Sequence, residues 1–178
     1  DVDRFPSKPA PRLGPGRALR LVLVGQMVPE KGVFDALRAV SLLNDRGIRV
    51  RLSLIGGGDI DRLRAEARTL DVFPELRWEG SVPHGRVIEQ LRRADLALVP
   101  SHHAYPEAKP MTIYEALATR TPLVVSDHPM FEDALEHGAH AVVVPEVSPE
   151  ALANAIADLA GSPPRYEALS KGSRAAAE

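Results

Sequence analysis

Leu96-Ala97-Leu98-Val99-Pro100-Ser101-His102-His103-Ala104-Tyr105-Pro106-Glu107-Ala108-Lys109-Pro110-Met111-Thr112-Ile113-Tyr114-Glu115-Ala116-Leu117-Ala118-Thr119-Arg120-Thr121-Pro122 is the stretch on which the fold turns. The apolar run Leu96–Val99 reads as a buried strand, the polar residues that follow as a loop, and the segment from Pro110 to about Thr119 as a helix. Proline suits the first helical position, where its missing amide would be unpaired anyway. Lys109 is a poor N-cap, so the amides of Met111 and Thr112 have no side-chain partner in the sequence. A helix start with open amides, a positive dipole end and an adjacent lysine either holds an anion, phosphate above all, or is capped by water.

Working outward, the same strand–loop–helix unit recurs. Ala18–Val24 is an apolar run ending at Gly25, and residues 32–46 carry Val33, Phe34, Leu37, Val40 and Leu43 at helical spacing. Residues 48–55 alternate Arg49, Arg51 and Ser53 with Val50, Leu52 and Leu54, a strand with one wetter face. Gly56-Gly57-Gly58 then leads into a helix with Ile60, Leu63, Ala67 and Leu70, for which Asp59 is the expected N-cap. A short strand over residues 76–79 ends at Gly80, and a helix follows over residues 85–93. After the central helix come a strand at 123–125, a short helix at 130–137, a strand at 141–144, a helix at 149–160 and a final helix from Arg165. This alternation predicts an α/β domain, a Rossmann-like doubly wound parallel sheet of about six strands.

The chain of 178 residues makes one domain, residues 18–178, behind a Pro-, Gly- and Arg-rich linker at residues 1–17. Hydrophobic residues make up 44% and aromatics only 4%, so the core is Leu, Val, Ile and Ala. A formal net charge of −2 gives no reason to expect nucleic acid as a bulk partner. The absence of cysteine rules out disulfides and thiolate metal sites, and fits a cytoplasmic protein. No apolar run reaches the roughly 20 residues of a membrane helix. Only four of the 22 basic residues are lysines, and two of these, Lys31 and Lys109, lie in the two loops suited to phosphate.

Glu107 and Glu115, with seven residues between them around the central helix start, resemble the E-x7-E signature of retaining glycosyltransferases of the GT-B fold, family 4. The likeness spans the chain. Asp1-Val2-Asp3-Arg4-Phe5-Pro6 resembles the hinge that enters the family's second domain, and Val24-Gly25-Gln26 with Pro29-Glu30-Lys31-Gly32 its first phosphate loop. Glu115-Ala116-Leu117-Ala118 and Thr121-Pro122-Leu123-Val124-Val125-Ser126 resemble the segment after the signature.

The resemblance implies the donor-binding, C-terminal half of such an enzyme. Its donor would be a nucleotide-diphosphate sugar linked to UDP, GDP or ADP. The N-terminal acceptor-binding domain would lie outside this chain, and any membrane association would run through it. Lys31 would pair with the diphosphate, with Gly25 and Gln26 in the same loop, and Met111 and Thr112 would give it backbone amides. Glu115 would accept both ribose hydroxyls, and Ser81 and Val82 would face the base. Gly56 and Gly57 would let the backbone approach the ligand. Glu107 would hold hydroxyls of the donor sugar, and Glu107 and Lys31 together would serve the reaction. Gln26 stands where the family commonly has arginine, and Ala108-Lys109-Pro110 replaces the usual Gly-Phe-Gly. Lys109 would offset the missing arginine electrostatically.

The glycosyltransferase half competes with a non-catalytic α/β nucleotide-binding or interaction domain, and with a GT-B epimerase or phosphorylase. Asp1-Val2-Asp3 and Asp59-Ile60-Asp61 match a D-x-D metal motif but sit in a linker and at a helix start, where aspartates cap. His102, His103 and Glu107 are read as non-metal residues, and His84, His128, His137 and His140 as surface ones. No permanently bound cofactor or metal is expected. On a 3-2-1-4-5-6 strand order, the loops after strands 1 and 4 would flank one crevice.

Overall fold

The computed structural model describes residues 5–11, 17–107, 111–132, 135 and 138–177. Six parallel strands form one sheet in the order β3-β2-β1-β4-β5-β6. They are β1 (Leu19–Val24), β2 (Val50–Ile55), β3 (Leu76–Gly80), β4 (Leu96–Val99), β5 (Leu123–Ser126) and β6 (Ala141–Val144). The helices between and after them are α1 (Val33–Asp45), α2 (Ile60–Thr69), α3 (His84–Arg93), α4 (Met111–Ala118), α5 (Pro149–Gly161) and α6 (Pro163–Ala177). This is the expected Rossmann-like order, with β1 paired to β4 through Leu21–Leu96, Val22–Ala97 and Leu23–Leu98.

Successive strand residues point to opposite faces, and each face carries an apolar cluster. Leu21, Leu23, Leu52, Leu54, Leu98 and Val124 pack with α1 and α5 residues such as Leu37, Val40, Ile156 and Leu159. Val22, Ile55, Ala97, Val99 and Val125 pack on the other face with Leu91, Ile113 and Leu117. Each fully buried Leu or Val contributes about 1.5–3 kcal/mol. The wetter side of β2 appears as expected, with Arg51 exposed between Val50 and Leu52.

Several local expectations change. Asp59 does not cap α2 with its side chain. Its backbone N–H instead donates to Met27 O at 2.8 Å, beside a Met27–Gly58 bridge, and that pairing leaves its side chain outward. The last helix starts at Pro163 rather than Arg165, because proline is tolerated in a helix's first turn. The short helix expected over 130–137 is a 3-10 turn, Pro129–Phe131, where it is described. Residues 133, 134, 136 and 137, with His137, lie outside the described residues.

The linker is anchored where it is described. The Lys8 backbone N–H donates to Ser170 Oγ at 2.7 Å. The Lys8 ammonium donates to Leu91 O (2.9 Å), Ala94 O (2.7 Å) and Thr121 Oγ1 (2.7 Å). It thereby meets two carbonyls at the end of α3 and a hydroxyl in the turn after α4. Burial lowers its pKa to about 7, against the pull of Asp95 and with the push of Arg20 and Arg92. Asp95 ties the same corner together, accepting from the Arg20 backbone N–H at 2.8 Å and pairing with Arg17 and Arg20 at 3.1 and 3.0 Å. Its carbonyl accepts from the Tyr166 hydroxyl at 2.7 Å.

A lysine whose folded pKa lies below its unfolded value binds fewer protons when folded between the two values, so stability rises with pH across that window. Denaturant unfolding should show a gain of about 2 kcal/mol between pH 7 and pH 9. Lys8→Met should abolish that gain; an equal slope in the variant would mean that other groups set it.

Candidate functional site

The loops at the carboxyl ends of β1 and β4 meet because β1 and β4 are neighbours. After β1 the chain passes Gly25 and Gln26, makes a 3-10 turn at Pro29–Lys31, and enters α1 through Gly32. Gly32 has φ +70°, and a Cβ there would lie 2.0 Å from Pro100 O in the loop after β4. Only glycine permits both that backbone and that approach. Gly56 plays the same part on the other side, where a Cβ would sit 1.8 Å from Gly25 O.

Within this junction the Lys31 ammonium donates to Glu107 Oε1. Both side chains are nearly buried, at 10% and 7% exposure. The lysine stem runs past Gly25, where a Cβ would come within 2.8 Å of Lys31 Cε. Ser101 Oγ donates to the same Glu107 oxygen at 2.8 Å. Two charges so deeply placed need each other, since an unpaired one would carry its whole desolvation cost. The Tyr105 ring lies over the Lys31 ammonium, 4.6 Å from nitrogen to ring centroid. The Tyr105 hydroxyl donates to Gln26 Oε1 at 3.3 Å. Desolvation and the Glu107 charge raise the Tyr105 pKa.

The loop carrying Glu107 is fixed from three sides. His102 Nε2 lies 2.6 Å from Asp35 Oδ2 on α1, and its backbone N–H donates to Glu30 O at 2.8 Å. His103 turns the other way, with Nε2 3.1 Å from Asp127 Oδ1 after β5 and Nδ1 3.2 Å from Glu146 Oε1 after β6. Desolvation works against the His103 charge, yet Asp127 and Glu146 outweigh it and its pKa lies above the ordinary value. His128 is buried, contrary to the surface placement expected of it. Its Nδ1 accepts from the Met130 N–H at 3.2 Å, so Nε2 carries the proton and donates to Tyr105 O at 3.1 Å. That single carbonyl also accepts from the Glu107 N–H at 2.8 Å.

Glu115, on α4, lies off the Ile113–Leu117 stripe as the spacing indicates, yet its side chain is only 12% exposed. The difference arises from His84 at the start of α3, whose Nδ1 is 3.2 Å from Glu115 Oε1. Desolvation raises the Glu115 pKa and His84 offsets part of the rise. Tyr114 is exposed, and Ala116 joins Ile113 and Leu117 on the buried side of α4. Ser81 is exposed beside Gly57, where a Cβ would stand 3.6 Å from Ser81 Oγ, while Val82 packs against the second core cluster. Met111 is exposed and Thr112 half-buried in the first turn of α4. Lys109 and its neighbours Ala108 and Pro110 lie outside the described residues, as do Asp1, Val2 and Asp3.

Asp35, Tyr105 and His84 carry no spacing signal. Each acquires its place from a partner at least 31 positions away in the chain, as with His84 and Glu115. His102 and His103 are visible in the sequence as a pair, but their opposite directions belong to the folded loop.

The profile of the family described as "Glycosyl transferases group 1" matches residues 8–176. The glycogen synthase of Mycobacterium tuberculosis is 31% identical over 176 residues, which cover 98% of this chain and 41% of that protein. The D-inositol 3-phosphate glycosyltransferase of Thermobispora bispora is 31% identical over 182 residues, covering 93% of this chain and 42% of that protein. The chain thus spans about two fifths of the length of these relatives. Among solved structures, Anabaena HepE in complex with UDP-glucose superposes with a TM-score of 0.80 at 18% identity, covering 90% of this chain and 44% of that one. The C-terminal domain of a glycosyl transferase group 1 family protein from Francisella tularensis superposes with a TM-score of 0.75 at 13% identity, covering 89% and 83%. With the family profile matched across nearly the whole described fold and 31% identity to a relative along 98% of its length, the chain belongs to the glycosyl transferases group 1 family.

Proposed function

We propose that the chain is the nucleotide-sugar-binding half of a retaining family 4 glycosyltransferase, moving a sugar from a nucleotide diphosphate to an acceptor held by a second domain. One observation carries the reading. Lys31 and Glu107, 76 positions apart, meet as a nearly buried pair at the carboxyl rim between β1 and β4. That is where ligands bind in open parallel sheets. The solved HepE complexes contain UDP or UDP-glucose, which supports a nucleotide-sugar donor here.

In this reading Lys31 faces the diphosphate, which gains negative charge as the bond to the sugar's anomeric carbon breaks. A positioned cation stabilises that charge best where water is excluded. Gly25, Gln26 and the Met111 and Thr112 amides complete the phosphate contacts. Lys109 adds its charge from outside the described residues. Glu107 takes donor-sugar hydroxyls, and Glu115 takes both ribose hydroxyls through its two carboxylate oxygens. Ser81 and Val82 face the base, with Gly56 and Gly57 leaving room beside them. On donor binding the Lys31–Glu107 pair is then divided between the two parts of the donor, the lysine to phosphate and the carboxylate to sugar.

Calorimetry with a nucleoside, its diphosphate and a nucleotide sugar separates these roles. Lys31→Ala should weaken the diphosphate and the nucleotide sugar alike, by about ten- to a hundredfold, and leave the nucleoside unchanged. Glu107→Gln should weaken the nucleotide sugar only, and should tighten the diphosphate by freeing Lys31 from its carboxylate. Equal losses for both variants, or none, would refute the division.

Ribose binding by Glu115 needs the carboxylate ionised. Because desolvation raises its pKa, nucleotide affinity should fall on acidification earlier than an ordinary carboxylate would allow. His84→Ala removes the group that offsets this, so the fall should move to higher pH. A profile unmoved by the substitution would show that the pair does not bear on binding.

Residues 1–178 alone should transfer sugar slowly at best. Holding both reactants together supplies up to about 7–11 kcal/mol of the barrier, and the acceptor half lies outside the chain. Rapid transfer to an added acceptor by the purified chain would contradict the assignment.

A further inference from the structure

We infer that Tyr105 is a displaceable cover on the phosphate-binding lysine, which makes the site reject simple anions. The inference rests on the donor-site reading above and assigns a residue that reading leaves unused. Lys31 is enclosed on two sides, by the Glu107 carboxylate and by the face of the Tyr105 ring at 4.6 Å. The ring is attracted to the ammonium through its quadrupole, an interaction that strengthens as water is removed. It is also held in register. Its hydroxyl is tethered to Gln26 across the gap between the two loops. Its carbonyl accepts from His128, and its N–H donates to His102 O at 2.9 Å.

The two kinds of restraint differ in what they allow. The backbone bonds fix the main chain of residue 105 to His102 and to the buried His128. The side chain is held only by the ring–cation contact and a 3.3 Å hydrogen bond to Gln26, which is itself exposed. The ring can therefore leave by rotation while the loop, and Glu107 with it, stays in place. A phosphate oxygen and the ring cannot occupy the same side of the ammonium together. An anion with no other anchor must displace the ring unaided. A nucleoside diphosphate brings base and ribose contacts from the rim formed by Ser81, Val82 and Glu115, and these offset the loss of the ring contact. Tyr105 thus sets specificity for anions that carry a nucleoside.

The test uses Tyr105→Phe and Tyr105→Ala in the purified chain, with two readouts. The first is acylation of Lys31 by a small amine-reactive ester, followed by mass spectrometry and normalised to the exposed Lys171. The second is the affinity for inorganic pyrophosphate and for UDP. Tyr105→Ala should label Lys31 several-fold faster and bind pyrophosphate about three- to tenfold tighter, with a smaller relative gain for UDP. Tyr105→Phe keeps the ring and should stay within about twofold of the parent chain in both. Unchanged labelling in Tyr105→Ala, or weaker pyrophosphate binding, would overturn the inference, the latter showing that Tyr105 is a ligand contact. Equal effects from Phe and Ala would also overturn it, because the ring would then not be the cover. Faster labelling with tighter pyrophosphate, but no binding of any nucleoside diphosphate by the parent chain, would uphold the cover on Lys31 and defeat the donor-site reading instead.

Discussion

The parallel pairing of β1 with β4 is the constraint on which the site depends. Strand order reverses at this pair, so the chain leaves β1 toward α1 on one face and leaves β4 toward α4 on the other. The two departing loops open a crevice between them at the carboxyl rim. Gly32 sets how closely the crevice walls approach, because its missing Cβ is the space that Pro100 O occupies. Replace the pairing by any other and Lys31 and Glu107 lose the geometry that lets them touch.

That contact shapes everything around it. A nearly buried ammonium and carboxylate are stable only while paired and hydrogen-bonded, and Ser101 supplies the further bond. The surrounding loop is pinned by His102 to α1, by His103 to the loops after β5 and β6, and through Tyr105 O by the buried His128. Most of these partners are themselves at strand ends, so the rigid sheet transmits its order to the loop. Each of the two glutamates faces a basic side chain, Glu107 against Lys31 and Glu115 against His84. Pairing of this kind leaves neither carboxylate as a bare buried charge.

The opposite end of the molecule follows a different economy. Lys8 and Asp95 gather the incoming segment, the end of α3, the start of β1 and α6 into one polar corner. A lysine brought out of water to cap carbonyls holds its proton less firmly, which its lowered pKa records. The corner fixes where Lys8 and its described neighbours meet the domain.

Periodicity and punctuation made the sheet legible in the sequence. Apolar runs such as Leu96–Val99 ending at glycine or proline, alternating with helical stripes such as Leu37, Val40 and Leu43, identify strands and helices because burial is decided locally by which face is apolar. The ordered set of Glu107, Glu115, Lys31 and the glycine turns was legible too, as a family pattern and not as chemistry, since no spacing says that a glutamate binds sugar. What only the tertiary structure decided are the pairings. Glu107 against Lys31, Tyr105 over that lysine, Asp35 against His102 and Glu115 against His84 join residues between 31 and 76 positions apart. His128 passed for a surface residue because a histidine's burial depends on what meets its two ring nitrogens. Here one partner is two residues away and the other is 23, in the loop after β4. Local sequence sets the period of an element, but desolvation and charge act through space, and the distances they act over exist only after the sheet has closed.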